Sequence, residues 1–302
     1  MTTPAIKTLI NPDELSAMMK SSNTVIIDTR TPEEYAAGHI AGAVNVRAIF
    51  SYLAESTPEG VSAMQSMFAD LLGKAGVGGD EHVVIYEDAM NNGYGQSCRG
   101  FFLLKYLGYD KVSILHGGLK VWTDAHMPLT TEASHPEAKT FPLAVRSELM
   151  LTTPEMLATL DDPNAVALDV RDYVEWTGES SSPYGVDFAP RKGRIPGAVL
   201  LEWYALMDKT GDVPMFKPKA EIAQMAAELG IKPESEVNIY CFKGARASNA
   251  FVALTEAGFT NLRIYFASWN EWARDPSLPI ETGTPDPKRP AIAYQTPVSV
   301  GA

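Results

Sequence analysis

The chain has 302 residues, 45% of them apolar and 21% charged, with a formal net charge of −12. That length and ordinary globular composition point to two domains, while the thinly spread Lys and Arg exclude a basic stripe for a nucleic-acid backbone or an anionic membrane. The two cysteines, Cys98 and Cys241, form no CxxC and no metal-like cluster with the five His, so neither a disulfide framework nor a zinc site is expected.

The opening MTTPAIKTLINPDEL has neither the basic and apolar regions of a signal peptide nor anything near the ~18 apolar residues of a membrane span. A cytoplasmic protein is expected, periplasmic if a signal peptide has been removed. In chain order, Val/Ile-rich runs at 24–28, 83–86 and 112–115 read as strands, with a helical pattern at 99–107 stopped by Gly108. Residues 131–150 read as a linker. Strand runs return at 166–170, 237–240 and 262–265, with a helical pattern at 246–257 stopped by Gly258. The expected organisation is therefore a domain over 1–130, the linker, a second domain over 151–285 and a tail over 286–302 that packs on the surface or frays. Continuous apolar strands suit sheets covered on both faces. The fold class is α/β, with a mainly parallel sheet flanked by helices in each half.

The halves repeat one another. VIIDTRTPEEY from Val25 resembles VALDVRDYVEW from Val166; GHIAGAV from Gly38 resembles GRIPGAV from Gly193; HVVIYED resembles EVNIYCF around Tyr86 and Tyr240. Gly108 matches Gly258 and Trp122 matches Trp272. So many ordered matches mark a duplicated unit.

Cys241 stands where the second copy departs from the first. It falls at the carboxyl end of a parallel strand, where open α/β sheets collect ligands. The following Phe242-Lys243-Gly244-Ala245-Arg246 must curl tightly before a helix starting near Ala247-Ser248, with Gly244 free to take a positive φ. Such a curl aims main-chain N–H groups and the positive end of a helix at one point. There a cysteine is favoured as thiolate, a good nucleophile for soft sulfur. The bland reading is a buried, inert thiol.

These motifs resemble the rhodanese, or sulfurtransferase, family in its tandem-domain form, over roughly residues 6–285. The carriers are EEYAAGHIAGAV (33–44), GRIPGAV (193–199), the loop CFKGARAS (241–248) and ASWNEWARDPSLPIE (267–281). The resemblance implies two rhodanese-like domains, the first catalytically silent and the second carrying sulfane sulfur as a Cys241 persulfide. Glu87 stands in the first half where Cys241 stands in the second. It implies no cofactor, a small-molecule sulfur donor such as thiosulfate, and as acceptor cyanide, a thiol or a thioredoxin-like protein. A monomer is expected.

Around the loop, Lys243 sits two residues after the cysteine, as in thiosulfate-using members, and would bind the sulfonate or the departing sulfite; the alternative is a solvated loop lysine. Arg246 would bind the donor or hold loop carbonyls. Arg171, following Asp169, matches the family's Asp-x-Arg and would either form a structural ion pair or act in the site. Glu175 stands where thiosulfate-using members carry a donor-binding Arg; Arg191, Lys192 and Arg194 would supply the missing cation, or would form a solvated basic turn. Trp272 is expected in the core and Trp269 as a wall of the pocket. Cys98, aligned with Ser248, is expected as a buried small residue.

Rival functions are a 3-mercaptopyruvate or protein-persulfide sulfurtransferase, a non-catalytic binding module of the same fold, and a phosphatase. Phosphatases of this fold use C-x5-R, a wider ring than the C-x4-R from Cys241 to Arg246. A pure binding module has no need to retain Cys241.

Overall fold

The computed structural model describes residues 6–20, 23–90, 95–284 and 291–292. Two parallel sheets form, one in each half. The first comprises β1 (Leu9–Ile10), β2 (Thr24–Asp28), β3 (Ala43–Asn45), β4 (His82–Tyr86) and β5 (Val112–Leu115) in the order β1-β5-β4-β2-β3. In the second half come β6 (Met150–Leu151), β7 (Ala165–Asp169), β8 (Val199–Leu201), the antiparallel hairpin of β9 (Met207–Asp208) and β10 (Met215–Phe216), then β11 (Glu236–Tyr240), β12 (Leu262–Tyr265) and β13 (Ala291–Ile292). The second sheet runs β13-β8-β7-β11-β12-β6. No helix among the described residues is long and apolar enough to cross a membrane.

The central strands are apolar throughout because helices cover both faces: the last four residues of β4 and of β11 are all buried. Four of the helices begin with a reciprocal cap, Asn11 with Glu14, Thr31 with Glu34, Thr152 with Glu155 and Asp172 with Glu175. Sequence periodicity missed β3 and β8, which fall inside the GHIAGAV and GRIPGAV segments and are only three residues long. It also missed the edge strands. β6 takes its first residue, Met150, from the expected linker, and residues 291–292 of the expected tail pair with β8 rather than lying loose.

The repeated sequence builds a repeated polar pin. In the first half Arg30 forks onto Asp28, bonds Gly38 O at 2.8 Å, and Tyr86 Oη donates to Asp28 Oδ2 at 2.6 Å. In the second, Arg171 forks onto Asp169, bonds Gly193 O at 2.7 Å, and Tyr240 Oη donates to Asp169 Oδ2 at 2.6 Å. Each pin ties the ends of two neighbouring strands to the GxIxGA segment. Buried charges of this kind are tolerated only when paired and hydrogen-bonded.

The halves meet through helices Gln96–Tyr106 and Ala245–Glu256. Phe102 packs edge-on against Phe251, centroids 5.3 Å apart, and stacks on Phe266 at 5.5 Å. Hydrogen bonds also cross, among them Phe216 N–H to His116 Nε2 at 2.9 Å and Ser56 N–H to Glu271 Oε1 at 2.7 Å. At the head of the first helix Gly95 has φ +77°, and a Cβ there would lie 2.8 Å from Ala245 O and 3.0 Å from Asn249 Cβ. Left-handed geometry costs a non-glycine residue about 1–2 kcal/mol, and the clash adds to it. Gly95→Ala should therefore lower stability by at least about 2 kcal/mol, seen as an earlier urea midpoint; an unchanged midpoint would show that the halves meet differently.

Candidate active site

Cys241 immediately follows β11, whose last residue, Tyr240, pairs with Asp169 of β7. Between β7 and β11 the chain order reverses: β8 extends the sheet one way and β12 the other. A crevice opens at such a switch point beyond the carboxyl ends of the strands. The sulfur therefore sits where the topology leaves room.

The loop after it closes more tightly than the sequence suggests. The helix begins at Ala245, two residues early, with Gly244 as its N-cap at φ +90°. Gly244 N–H donates to Cys241 Sγ at 3.1 Å. A Cβ on Gly244 would come within 2.7 Å of the Phe266 ring, so glycine is needed for both conformation and space. From the other side, Cys241 N–H donates to Ser268 Oγ, Trp269 N–H to Cys241 O and Asn270 N–H to Phe242 O. The loop is thus fastened to the segment after β12.

Cys241 is only 1% exposed, yet it lines a cleft of about 240 Å³ with Phe50, Pro183, Tyr184, Phe242, Lys243, Ala245 and Arg246. It is not sealed in hydrocarbon. Tyr184 belongs to the segment between Thr177 and Gly193 that lengthens the second half, and its ring lies 4.7 Å from that of Phe242. Phe50 comes from the first half. Sequence reasoning missed both walls, since nothing local links residues 50 and 184 to residue 241.

Lys243 enters the cleft rather than solvent, its Nζ 3.8 Å from the centroid of Phe50 and 5.3 Å from that of Tyr184. Burial, together with the charges of Arg99 and Arg47, pulls its ammonium down to about 8 against the opposing effect of Cys241.

Arg246 lines the cleft, but its guanidinium is already paired with carboxylates. Its guanidinium grips Glu175 with bonds of 2.7 and 3.1 Å and reaches Asp172 at 3.3 Å. Burial opposes ionisation of Glu175, but the Arg246 charge holds its carboxyl below the usual range. The residue that replaces the expected arginine is the counter-ion of the loop arginine.

Five other candidates lie outside the cleft. Arg171 is fully buried in its pin to Asp169, and the same pin exists around Arg30 in the half without the cysteine, so it serves the fold. Arg194 bonds Trp176 O and Gly283 O and pairs with Glu281. It fastens the chain that leaves the domain, as His39 does in the first half by contacting Tyr35 O and Glu132 O. Trp269 is buried with the Arg171 guanidinium 4.4 Å from its ring, instead of walling the pocket. Arg191 bonds Trp272 O, Ala273 O and Leu278 O, and Lys192 bonds Glu179 O. Neither lines the cleft. Trp272 is in the core, and Cys98 is buried with its thiol pushed well above the ordinary value by burial and by Glu87.

Glu87 shows what the silent half does with the same place. It accepts from Gln96 N–H at 3.0 Å and Ser97 Oγ at 2.6 Å. A carboxylate fills the anion position at the helix N-terminus, leaving nothing there to attack sulfur.

A family model described as "Rhodanese-like domain" matches residues 11–125 and again 152–275. The chain belongs to the rhodanese-like family. It is 28% identical over 273 residues to "Thiosulfate sulfurtransferase" of Azotobacter vinelandii, spanning 90% of this chain and 96% of that one. It is 30% identical over 290 residues to "Probable 3-mercaptopyruvate sulfurtransferase" of Pseudomonas aeruginosa, spanning 91% and 98%. Among solved structures, wild-type EanB superposes with a TM-score of 0.79 at 24% identity, over 92% of this rhodanese-like chain and 70% of that protein. That likeness concerns the fold.

Burial raises Glu87 to about 7 despite its hydrogen bonds. Between the unfolded carboxyl value near 4.5 and about 7, the folded state holds the extra proton, so rising pH removes stability through this window. Glu87→Gln should abolish that slope and gain on the parent protein by up to about 3 kcal/mol from pH 5 to pH 8. Parallel stability curves for the two proteins across that range would refute the assignment.

Proposed function

We propose that this protein is a sulfurtransferase that moves a sulfane sulfur from thiosulfate to a thiophilic acceptor through a persulfide on Cys241. The observation that carries the reading is the cysteine sulfur held by the Gly244 amide at the floor of a cleft whose rim bears the Lys243 ammonium. The Cys241 thiolate attacks the outer sulfur of the donor. The donor S–S bond breaks, and sulfite departs with the electron pair. An acceptor, cyanide or a thiolate, then attacks the terminal sulfur and the Cys241 thiolate leaves. The helix N-terminus favours the sulfur anion both before and after transfer. Lys243 attracts the anionic donor and steadies the leaving sulfite.

The names of relatives divide between thiosulfate and 3-mercaptopyruvate. Lys243 favours the first. The neutralisation of Arg246 by Glu175 favours the second, because it leaves fewer cations for a dianion. With 3-mercaptopyruvate the thiolate would attack the substrate sulfur, the C–S bond would break and the pyruvate enolate would take up a proton. A thioredoxin-like protein thiol is proposed as the cellular acceptor, the protein acts as a monomer without a cofactor, and the compartment is proposed to be cytoplasmic.

Intact-mass measurement after mixing with thiosulfate should show a gain of one sulfur atom, removed by cyanide and absent in Cys241→Ser. Unchanged mass with thiosulfate and with 3-mercaptopyruvate would refute the enzyme reading, whereas a gain with 3-mercaptopyruvate alone would establish the second donor.

Lys243 sets a pH dependence. Its charge is present below about 8 and lost above it, so KM for thiosulfate should rise by up to about thirtyfold between pH 7 and pH 9.5, following the loss of the charged fraction. Lys243→Arg, which stays protonated, should flatten that rise; an identical rise in the variant would exclude Lys243 as its source.

A further inference from the structure

Arg99 belongs to the silent half, in the first turn of helix Gln96–Tyr106, and has no sequence counterpart in the motif around Cys241. Its side chain is fully buried, stacked on Phe266 with Cζ 4.6 Å from the ring centroid. Nη1 donates to Ile49 O at 2.6 Å and to Phe50 O at 3.0 Å, and Nη2 to Tyr52 O at 2.8 Å. Nε is buried with no hydrogen-bond partner. Among the described residues, no carboxylate pairs with it.

A buried cation without a counter-ion is costly. Burial lowers the Arg99 guanidinium to about 10, and the acidic group that most opposes this is Cys241, ahead of Tyr184 and Tyr52. The neighbouring cations differ in kind. Arg246 is neutralised by Glu175 and Asp172. Arg47 bonds Thr29 O and Gln96 Oε1 and acts on Lys243. Lys243 lies over the Phe50 ring, on a residue whose carbonyl Arg99 holds. Phe266, on which Arg99 stacks, is also the ring that Gly244 approaches most closely.

We propose that Arg99 is a positioning residue for the sulfur site: bound to main-chain carbonyls, it fixes the Phe50 wall and supplies the uncompensated positive charge that the Cys241 sulfur anion balances. The silent half is then electrostatically part of the active site. This rests on Cys241 being the reacting sulfur, as in the function proposed above, but not on any particular donor.

The test is the pH profile of iodoacetamide labelling of Cys241, read by peptide mass spectrometry to separate it from Cys98, in the parent, Arg99→Lys and Arg99→Gln. Loss of one buried charge partner corresponds to about one pKa unit, so in Arg99→Gln the pH at which labelling reaches half its plateau rate should rise by about one unit, while in Arg99→Lys, which keeps the charge but not the fork, it should rise by less than about half a unit. An equal rise in both variants, or none in Arg99→Gln, overturns the proposal. Should Arg99→Gln fail to fold, the Nε–H resonance of Arg99 in the parent protein, assigned by its loss in Arg99→Lys, decides instead. It should shift when Cys241 is carbamidomethylated; a resonance that does not move overturns the proposal. Because labelling uses no sulfur donor, failure of sulfur transfer with the labelling pattern intact would refute only the function proposed above.

Discussion

The hydrogen bond from Gly244 N–H to Cys241 Sγ is the contact around which the second half is arranged. For that amide to face back at the sulfur, the loop must turn within three residues, which requires a positive φ at Gly244 and an empty space where its side chain would be. The space is bounded by Phe266, and the loop's other surface is fastened through Ser268, Trp269 and Asn270. A helix starting at Ala245, with Gly244 as its N-cap, then follows directly behind that amide. A chain that merely buried a cysteine would have no use for this geometry.

The two halves share a scaffold and divide the chemistry. Both use an Asp–Arg–Tyr pin at the strand ends and both tie their closing segment back to the GxIxGA turn. Repetition of the pin in a half without a nucleophile is the reason to assign Asp169 and Arg171 to the fold. In the first half the Glu87 carboxyl group occupies the helix N-terminus that the Cys241 sulfur occupies in the second. Yet the first half is not idle, since it contributes Phe50 to the cleft wall and brings Arg99 beneath the loop.

Charge is allotted unevenly around the cleft. Arg246 is paired with Glu175 and Asp172, which ties the loop to helix Tyr173–Thr177 and its cap. Lys243 lies over the Phe50 and Tyr184 rings within the cleft, with no carboxylate ion pair among the described residues. An arginine at position 175 would have repelled Arg246, and the glutamate resolves that conflict while reducing the field available to a doubly charged substrate.

The sequence by itself determined the duplication, the α/β class, the strand that ends just before Cys241, the glycine that follows it and the replacement of that cysteine by Glu87 in the first half. These are legible because they rest on local periodicity, on conformational limits of single residues and on comparison of two copies within one chain. Short strands such as β3 and β8 were not legible, because three residues carry no period and their pairing comes from neighbours in the sheet. The partners of Arg246, Arg194 and Trp269 were decided by tertiary structure alone. A side chain's partner depends on what lies across the fold, and here that was a glutamate, main-chain carbonyls and a buried guanidinium, not a substrate. The same holds for Tyr184, brought to the cleft by the longer segment of the second half, and for Phe50 and Arg99, which approach the site only because two separately specified halves pack helix against helix; contacts of such long sequence separation leave no pattern in the chain itself.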